Sequence, residues 1–229
     1  MDTTRSLAPR VYSLTVGFLV ALAACIFLPA WSLHYWQGVV YWLTFAGWLF
    51  FLNAYFLQHD PALVERRMKA GAGDKPRRSQ KIIQSVTSVL LVGLYVVPAL
   101  DYRCQWSDNV PGWLVVTADA VVCLGFFIIF RVFAVNSYTS GIVEVAAGQT
   151  VISTGPYAVV RHPMYSGAAL MFIATPLALA SYWGLVVGIL IIVAMCVRAL
   201  DEERLLREEL PGYVEYTRKV RARLIPGVW

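Results

Sequence analysis

The sequence predicts an all-α fold, a polytopic membrane bundle of six transmembrane helices, with five as the alternative. Hydrophobic residues make up 59% of the 229 residues and charged residues only 14%. The mean hydropathy of +0.61 also exceeds the balance typical of soluble domains. The apolar residues are grouped into runs whose lengths approach the ~20 residues that a helix needs to cross the hydrocarbon core.

Six apolar runs follow one another along the chain. They cover residues 11–29, 36–57, 82–100, 112–130, 164–181 and 182–197. The first four predict one crossing each, whereas the last two are short and nearly continuous, so they predict either two crossings or one re-entrant hairpin. Asp119 lies inside the fourth run. We expect a neutral or hydrogen-bonded structural carboxyl group there, with a functional role as the alternative.

The basic residues predict the orientation of the bundle. With six crossings and the N-terminus in the cytosol, 18 of the 19 Lys and Arg residues fall in cytosolic segments, and only Arg103 lies outside. Cytosolic loops carry such an excess of positive charge. We therefore expect an integral membrane protein with both termini in the cytosol, in the inner membrane of a bacterium or in the endoplasmic reticulum of a eukaryote.

The composition also limits the partners and cofactors that we expect. A net charge of +5 is ordinary for loops beside anionic lipid, so the sequence predicts membrane lipid and no nucleic acid as a partner. The four cysteines are scattered without the spacing of a metal site. We expect neither a disulfide nor a bound metal.

Two polar connections complete the predicted organisation. Residues 58–81 predict a surface loop that contains a short helix over 62–69, started by Asp60–Pro61. The short β-rich pieces at 142–145 and 149–152 predict a small hairpin or an extended loop. Such a backbone must lie at the membrane interface or be buried around a polar cavity. We divide the chain into residues 1–110, with three helices and the basic loop, and residues 111–229, with three helices and the tail.

The first polar motif stands between two apolar runs and reads STGPYAVVRHPMYSG, residues 153–167. Gly155–Pro156 predicts a turn, and Pro163 is suited to the first turn of a helix because its missing N–H needs no partner there. Neither role explains why Tyr157, Arg161, His162 and Tyr165 also gather at this boundary. Each of them taken singly is typical of an interface anchor or a structural residue.

The second polar motif, RALDEER, covers residues 198–204 at the cytosolic end of the last apolar run. Three adjacent acids are unusual there, because basic groups suit both that side of the membrane and the C-terminus of a helix. We expect nearby groups to compensate them. The alternative is a solvated helix in which Glu203 pairs with Arg207 one turn later.

Together the two motifs are specific. TGPYAVVRHPMYSG, followed by RALDEERLLREELPGYVEYTRKVRARLIPGVW, resembles the isoprenylcysteine carboxyl methyltransferase family of integral membrane methyltransferases, over residues 136–229. The resemblance implies S-adenosylmethionine as the methyl donor and a cytosolic pocket built from the C-terminal half. The positions that it implies for cofactor binding are Gln149, Thr150, Val151, Ile152, Gly155, Tyr157, Arg161, His162, Tyr165, Glu202 and Glu203. Those that it implies for catalysis are His162, Arg198 and Glu203.

The chemistry of that donor agrees with these residue types. Its sulfonium and ammonium groups call for acids such as Glu202 and Glu203, while its carboxylate calls for donors from His162, Arg161 or Arg198. We expect a lipophilic or lipidated acceptor, with isoprenylcysteine-like carboxyl O-methylation as the leading reaction. The alternatives are N-methylation of a phospholipid amine, a sterol-reductase-like enzyme that uses NADPH, and a non-enzymatic membrane scaffold.

Overall fold

The computed structural model describes residues 2–69, 78–138 and 150–229, and within these ranges it contains helices and no strand. The helices are α1 Asp2–Ala30, α2 Trp36–His59, α3 Pro61–Lys69, α4 Arg78–Cys104, α5 Gly112–Val135, a 3-10 turn Gly155–Ala158, α6 Pro163–Ala178, α7 Gly184–Glu209 and α8 Tyr213–Lys219. The all-α prediction is confirmed. The hairpin predicted over 142–152 lies mostly outside the described residues, and the described positions 150–152 form no strand.

Five of the described helices are long and apolar enough to cross a membrane, and α6 is shorter. With its 16 residues, α6 spans about 24 Å at the standard helical rise. It nevertheless begins beside Glu203, near the end of α7, and the turn that follows it contacts Asp101 in the last turn of α4. Because these contacts lie at opposite ends of α7, α6 runs alongside most of its apolar length. The polytopic bundle is confirmed, and a sixth crossing at α6 stays a prediction.

Asp101 fixes the turn between α6 and α7. It is buried, and its carboxylate accepts hydrogen bonds from the Ser107 backbone N–H at 2.7 Å, the Ser107 hydroxyl at 2.6 Å and the Ser181 hydroxyl at 2.5 Å. The Ser181 hydroxyl in turn accepts the first N–H of α7, from Gly184, at 3.0 Å. These bonds satisfy a buried acid and hold the α6–α7 pair against α4. The division at residue 110 stays a prediction, because helices from the two predicted units pack against each other here.

Glycines let α6 approach both of its neighbours closely. A Cβ placed on Gly167 would lie 2.8 Å from the backbone oxygen of Gly125 in α5. A Cβ placed on Gly188 of α7 would lie 2.2 Å from the backbone oxygen of Phe172 in α6. In a membrane, where lipid tails remove most of the hydrophobic drive between helices, such close backbone packing is a main source of association.

Replacing Gly188 by Ala is therefore expected to force α6 and α7 apart and to destabilise the protein by about 1–3 kcal/mol. Gly17→Ala and Gly47→Ala are matched controls, because a Cβ at either position meets nothing within 4 Å. These two changes should be neutral or stabilising, since Ala is the better helix former. Thermal unfolding in detergent measures all three variants. Equal melting temperatures for Gly188→Ala and the controls would contradict the packing described.

The short helix α3 is held at the end of the bundle where α5 ends. Asp60 accepts the Leu63 backbone N–H at 3.0 Å, which caps α3 as predicted, and it accepts the Ser137 hydroxyl at 2.5 Å. One carboxylate thus joins the α2–α3 junction to the residues that follow α5. Arg67 of α3 lies over the ring of Phe133, with its guanidinium carbon 4.3 Å from the ring centroid.

Asp119 is buried on α5, and neither of its carboxyl oxygens has a hydrogen-bond partner among the described residues. The described part of the chain therefore does not show the hydrogen-bonded carboxyl group that was one of the two expected states of Asp119. An ionised carboxylate without partners is costly to bury. A neutral structural acid stays our prediction for this residue.

Candidate functional site

The two polar motifs meet at one end of the bundle, which we call the Glu203 end. Arg161 and His162 directly precede α6, while Glu203 lies in the last two turns of α7. These helices are antiparallel, so the start of one lies beside the end of the other. The distance from His162 Nε2 to Glu203 Oε1 is 3.3 Å, across 41 residues of sequence.

Glu203 is the centre of a charged cluster, which consists of the buried residues Glu203, Arg161 and His162 and the partly exposed Arg223. Only 3% of the surface of Glu203 is exposed. Its carboxylate accepts from Arg161 Nε at 2.7 Å and from Arg223 Nε at 3.2 Å, in addition to the contact with His162. The predicted pair with Arg207 is long, at 3.9 Å. The donors around Glu203 therefore come from the protein itself, and both of its oxygens are occupied.

Arg161 joins this cluster to the tail that follows α8. Its Nη1 donates to the backbone oxygens of Val220 and Arg221, both at 3.0 Å. The backbone continues the contact, because the N–H of Arg161 donates to Ala222 O at 3.0 Å and that of His162 to Arg223 O at 2.9 Å. The first motif thus lies between α7 and the tail, and the donors of Arg161 serve protein groups.

Tyr157 occupies the 3-10 turn and is held from two sides. The Asn136 side-chain amide donates to its hydroxyl oxygen at 2.8 Å, and the Tyr216 hydroxyl donates to its backbone oxygen at 2.7 Å. Burial raises the pKa of Tyr157 to about 12, and the negative charge of Glu202 adds to the rise. The phenol therefore keeps its proton at neutral pH.

Glu202 presents a different environment from that of its neighbour Glu203. It is partly exposed, and it accepts the Tyr165 hydroxyl at 2.8 Å. Arg198, one turn earlier on α7, also lies against that hydroxyl. The Tyr165 ring stacks on His162 with 5.5 Å between the ring centroids. Glu202, Tyr165 and Arg198 thus place an acid, an aromatic ring and a base together, beside the charged cluster.

Tyr213, at the start of α8, carries a buried hydroxyl that has no hydrogen-bond partner within the described part of the chain. The residue is 4% exposed. Burial raises the pKa of Tyr213, and the charges of Glu203 and Glu202 raise it further, so the hydroxyl stays protonated near these acids. Buried polar groups normally have partners. An open hydroxyl at this position is therefore a candidate contact for a ligand.

The remaining predicted positions are spread along the approach to the 3-10 turn. Gln149 lies outside the described residues, and Thr150 is exposed. Val151 packs against the buried cluster that contains Tyr213 and Tyr216. Ile152 is half-buried. Gly155 adopts a φ of +57°, a left-handed conformation that favours glycine, with Val135 3.2 Å from the position of a Cβ.

Sequence reasoning missed three contributors to the site, Asn136, Tyr213 and Arg223. Asn136 supports Tyr157, Arg223 completes the cluster around Glu203, and Tyr213 provides the open hydroxyl. The tyrosines of the tail were visible as a spaced pattern in the second stretch. Nothing in their spacing shows which of the two hydroxyls, Tyr213 or Tyr216, finds a partner.

The described residues fit S-adenosylmethionine at this end of the bundle. Glu202 is the acid that remains partly accessible, and it suits the cationic groups of the donor molecule. Arg198 and the hydroxyl of Tyr213 suit its carboxylate, while the rings of Tyr157 and Tyr165 suit the adenine or the sulfonium. Glu203 does not fit a role as a direct ligand, because Arg161, His162 and Arg223 already occupy its carboxylate.

Comparison with known families gives an independent result. Residues 113–210 match the family described as phospholipid methyltransferase. That segment contains α5, α6 and α7, and with them most residues of the site. The match confirms the resemblance at the level of the integral membrane methyltransferase superfamily, but it does not confirm the isoprenylcysteine subfamily. No curated protein matches the chain.

Proposed function

We propose that this chain, whose residues 113–210 match the phospholipid methyltransferase family, transfers a methyl group from S-adenosylmethionine to a lipophilic acceptor, with carboxyl O-methylation as the leading reaction. The observation that carries the proposal is the grouping of Glu202, Tyr165 and Arg198 beside the buried cluster around Glu203. This grouping joins residues of both sequence motifs. It offers opposite charges and an aromatic ring to one small zwitterionic molecule.

The residues of the site bind and orient, and none is required to form a covalent bond. When bound, S-adenosylmethionine supplies an activated methyl group on a positively charged sulfur. Glu202 would attract that positive charge, while Arg198 and the unpaired hydroxyl of Tyr213 would hold the anionic end. In-line transfer requires accurate positioning, so orientation and exclusion of water provide most of the acceleration.

The acceptor determines whether the site must move a proton. A carboxylate is already a nucleophile: one of its oxygen lone pairs forms the O–CH₃ bond, the S–CH₃ bond breaks, and its electrons neutralise the sulfur. That reaction needs no general base. His162 Nε2 contacts Glu203, so in this reaction His162 positions the start of α6.

A second candidate is N-methylation of a phospholipid amine, and the family match favours it. A phospholipid amine is protonated at neutral pH, so it must lose a proton before its nitrogen lone pair can form the N–CH₃ bond as the S–CH₃ bond breaks, and each further transfer needs the same loss of a proton. Glu202 is the accessible acid next to Tyr165, and its carboxylate would accept that proton. Under either reaction we propose that the Glu203 end faces the cytosol, where the water-soluble donor is found, since 18 of 19 basic residues are expected on that side.

Incubating membranes that contain the protein with methyl-labelled donor, followed by extraction of the lipids, tests the proposal. A labelled lipid that loses its methyl group in mild base is an ester and supports carboxyl methylation, whereas an alkali-stable label indicates N-methylation. In a parallel thermal-shift assay the purified protein should be stabilised by S-adenosylhomocysteine and not by NADPH. Stabilisation by NADPH alone would support a reductase and contradict the proposal.

Replacing Tyr213 by Phe separates binding from stability. The variant should be as stable as the parent or slightly more stable, because the hydroxyl that it loses has no partner among the described residues. Its affinity for S-adenosylhomocysteine should fall roughly three- to tenfold with the loss of a hydrogen bond. Tyr216→Phe is the matched control: it breaks a bond to Tyr157 O and should cost about 1 kcal/mol of stability. Thermal unfolding and calorimetric titration measure the two effects, and unchanged affinity in Tyr213→Phe would contradict the assigned role.

A further inference from the structure

An apolar cavity of about 460 Å³ lies between α1, α2, α3, α5 and α6. This volume lies within the range of sites that hold one small molecule. Its wall is formed largely by Leu, Phe, Val and Met side chains, among them Leu49, Phe56, Phe126 and Met171. Thr15 and Asn53 also line it, but the Asn53 side-chain amide donates to the Thr15 hydroxyl at 2.7 Å, so these groups partly satisfy each other.

Arg67 is the one charged residue among the described residues that line this cavity. Its side chain is exposed, and its guanidinium lies over Phe133. Within the described ranges no carboxylate forms an ion pair with it. An arginine beside an apolar chamber, stacked on one ring and with no carboxylate partner among the described residues, can offer the N–H groups along the edge of its guanidinium to an anionic group.

Two helices, α5 and α6, carry both residues that line the cavity and residues near the Glu203 end. On α6, Ala168 lines the cavity three residues after Tyr165, which is about 4.5 Å along the helix axis. On α5, Phe133 lines the cavity three residues before Asn136, whose amide holds Tyr157. The wall of the cavity therefore includes residues that lie within one helical turn of residues of the candidate donor site.

We propose that this cavity binds the methyl acceptor, and that the acceptor is an amphiphile with one apolar chain in the cavity and an anionic group paired with Arg67. The identification of the bound amphiphile as the methyl acceptor rests on the proposed function, whereas the binding of an anionic amphiphile in this cavity does not. Charge selects the occupant: an uncharged or cationic amphiphile gains the apolar contacts but leaves Arg67 without a partner. Pairing with Arg67 would keep a carboxylate ionised, which is the form that reacts with the methyl donor.

The test is binding of three amphiphiles with the same chain, palmitate, hexadecanol and hexadecylamine, to the purified full-length protein in neutral detergent without donor. Palmitate should bind roughly tenfold more tightly than the other two, the scale expected for one charged hydrogen-bonded pair. Arg67→Gln should remove this advantage and leave the affinity for hexadecanol unchanged. Leu49→Trp, which fills the cavity, should weaken binding of all three.

Arg66→Gln is the matched control. Arg66 precedes Arg67 on the same helix, but its guanidinium lies 5.5 Å from the ring of Tyr138 and it does not line the cavity. This variant should keep the preference for palmitate. Equal affinities of the three amphiphiles, or equal losses in Arg66→Gln and Arg67→Gln, would overturn the inference and indicate an unselective lipid-filled space.

The two proposals fail separately. If palmitate binds through Arg67 but labelled donor gives no product, the cavity stands and methyl transfer fails. Competition of a diacyl phosphatidylethanolamine with palmitate distinguishes a phosphate from a carboxylate as the anionic group. Competition that depends on Arg67 would indicate phosphate recognition and overturn the single-chain assignment.

Discussion

Replacing Glu203 by Gln is expected to destabilise the protein by about 3–5 kcal/mol, the scale found when one partner of a buried ion pair is removed. The change removes the negative charge that Arg161, His162 and Arg223 share. The burial of Arg161 and His162 then lacks compensation. Because Arg161 also holds the tail through Val220 and Arg221, we expect the loss of S-adenosylhomocysteine binding together with the loss of stability.

Glu208→Gln is the control for this change, since Glu208 is exposed on the same helix. It should alter stability by less than about 0.5 kcal/mol. Thermal unfolding of the purified variants measures the difference. A Glu203→Gln protein with the stability of the parent would show that the cluster does not hold α6, α7 and the tail together.

Replacing Glu202 by Gln is expected to give the opposite combination, a folded protein with weak donor binding. Glu202 is partly exposed, and it accepts a hydrogen bond from the Tyr165 hydroxyl, which the side-chain oxygen of Gln can still accept. Stability should therefore change little. The affinity for S-adenosylmethionine should fall roughly 10- to 100-fold, because the neutral side chain no longer pairs with the positive sulfur or ammonium group.

Calorimetric titration with S-adenosylmethionine and with S-adenosylhomocysteine refines this test. S-adenosylhomocysteine lacks the sulfonium charge. If Glu202→Gln lowers the affinity for S-adenosylmethionine more than the affinity for S-adenosylhomocysteine, the difference reports contact between Glu202 and the sulfonium. Glu209→Gln, an exposed change on the same helix, is the control. Affinities unchanged in Glu202→Gln would remove Glu202 from the donor site.

The sequence predicts that the adjacent glutamates need compensating groups, but not that Glu202 and Glu203 lie in different environments. Three neighbouring acids at the cytosolic end of an apolar helix required compensation, and the described contacts of Glu203 with Arg161 and Arg223 provide it. The sequence predicts the same role for Glu202 and Glu203, as ligands of the cationic groups of the donor. Successive residues of a helix point in directions about 100° apart, so one acid turns toward the buried arginines and the other toward Tyr165. Only the packing of α6 and the tail decides which is which.

The apolar runs and the charge pattern carried the prediction of the bundle, because both are properties of the sequence itself. Packing decided the details that they could not contain. The short run before Tyr182 becomes a helix of 16 residues because it lies against α7, with Gly188 allowing close contact. The position of Arg67 was equally hidden, since one arginine in a basic loop gives no sign that it borders a cavity formed by five helices.

Hydrogen exchange of the full-length protein, with and without saturating S-adenosylhomocysteine, tests the central claim most directly. The account predicts simultaneous protection of residues 157–166 and of residues 198–216, because one ligand contacts both segments at the Glu203 end. Protection of only one of these segments, or of neither while the ligand is bound, would contradict it.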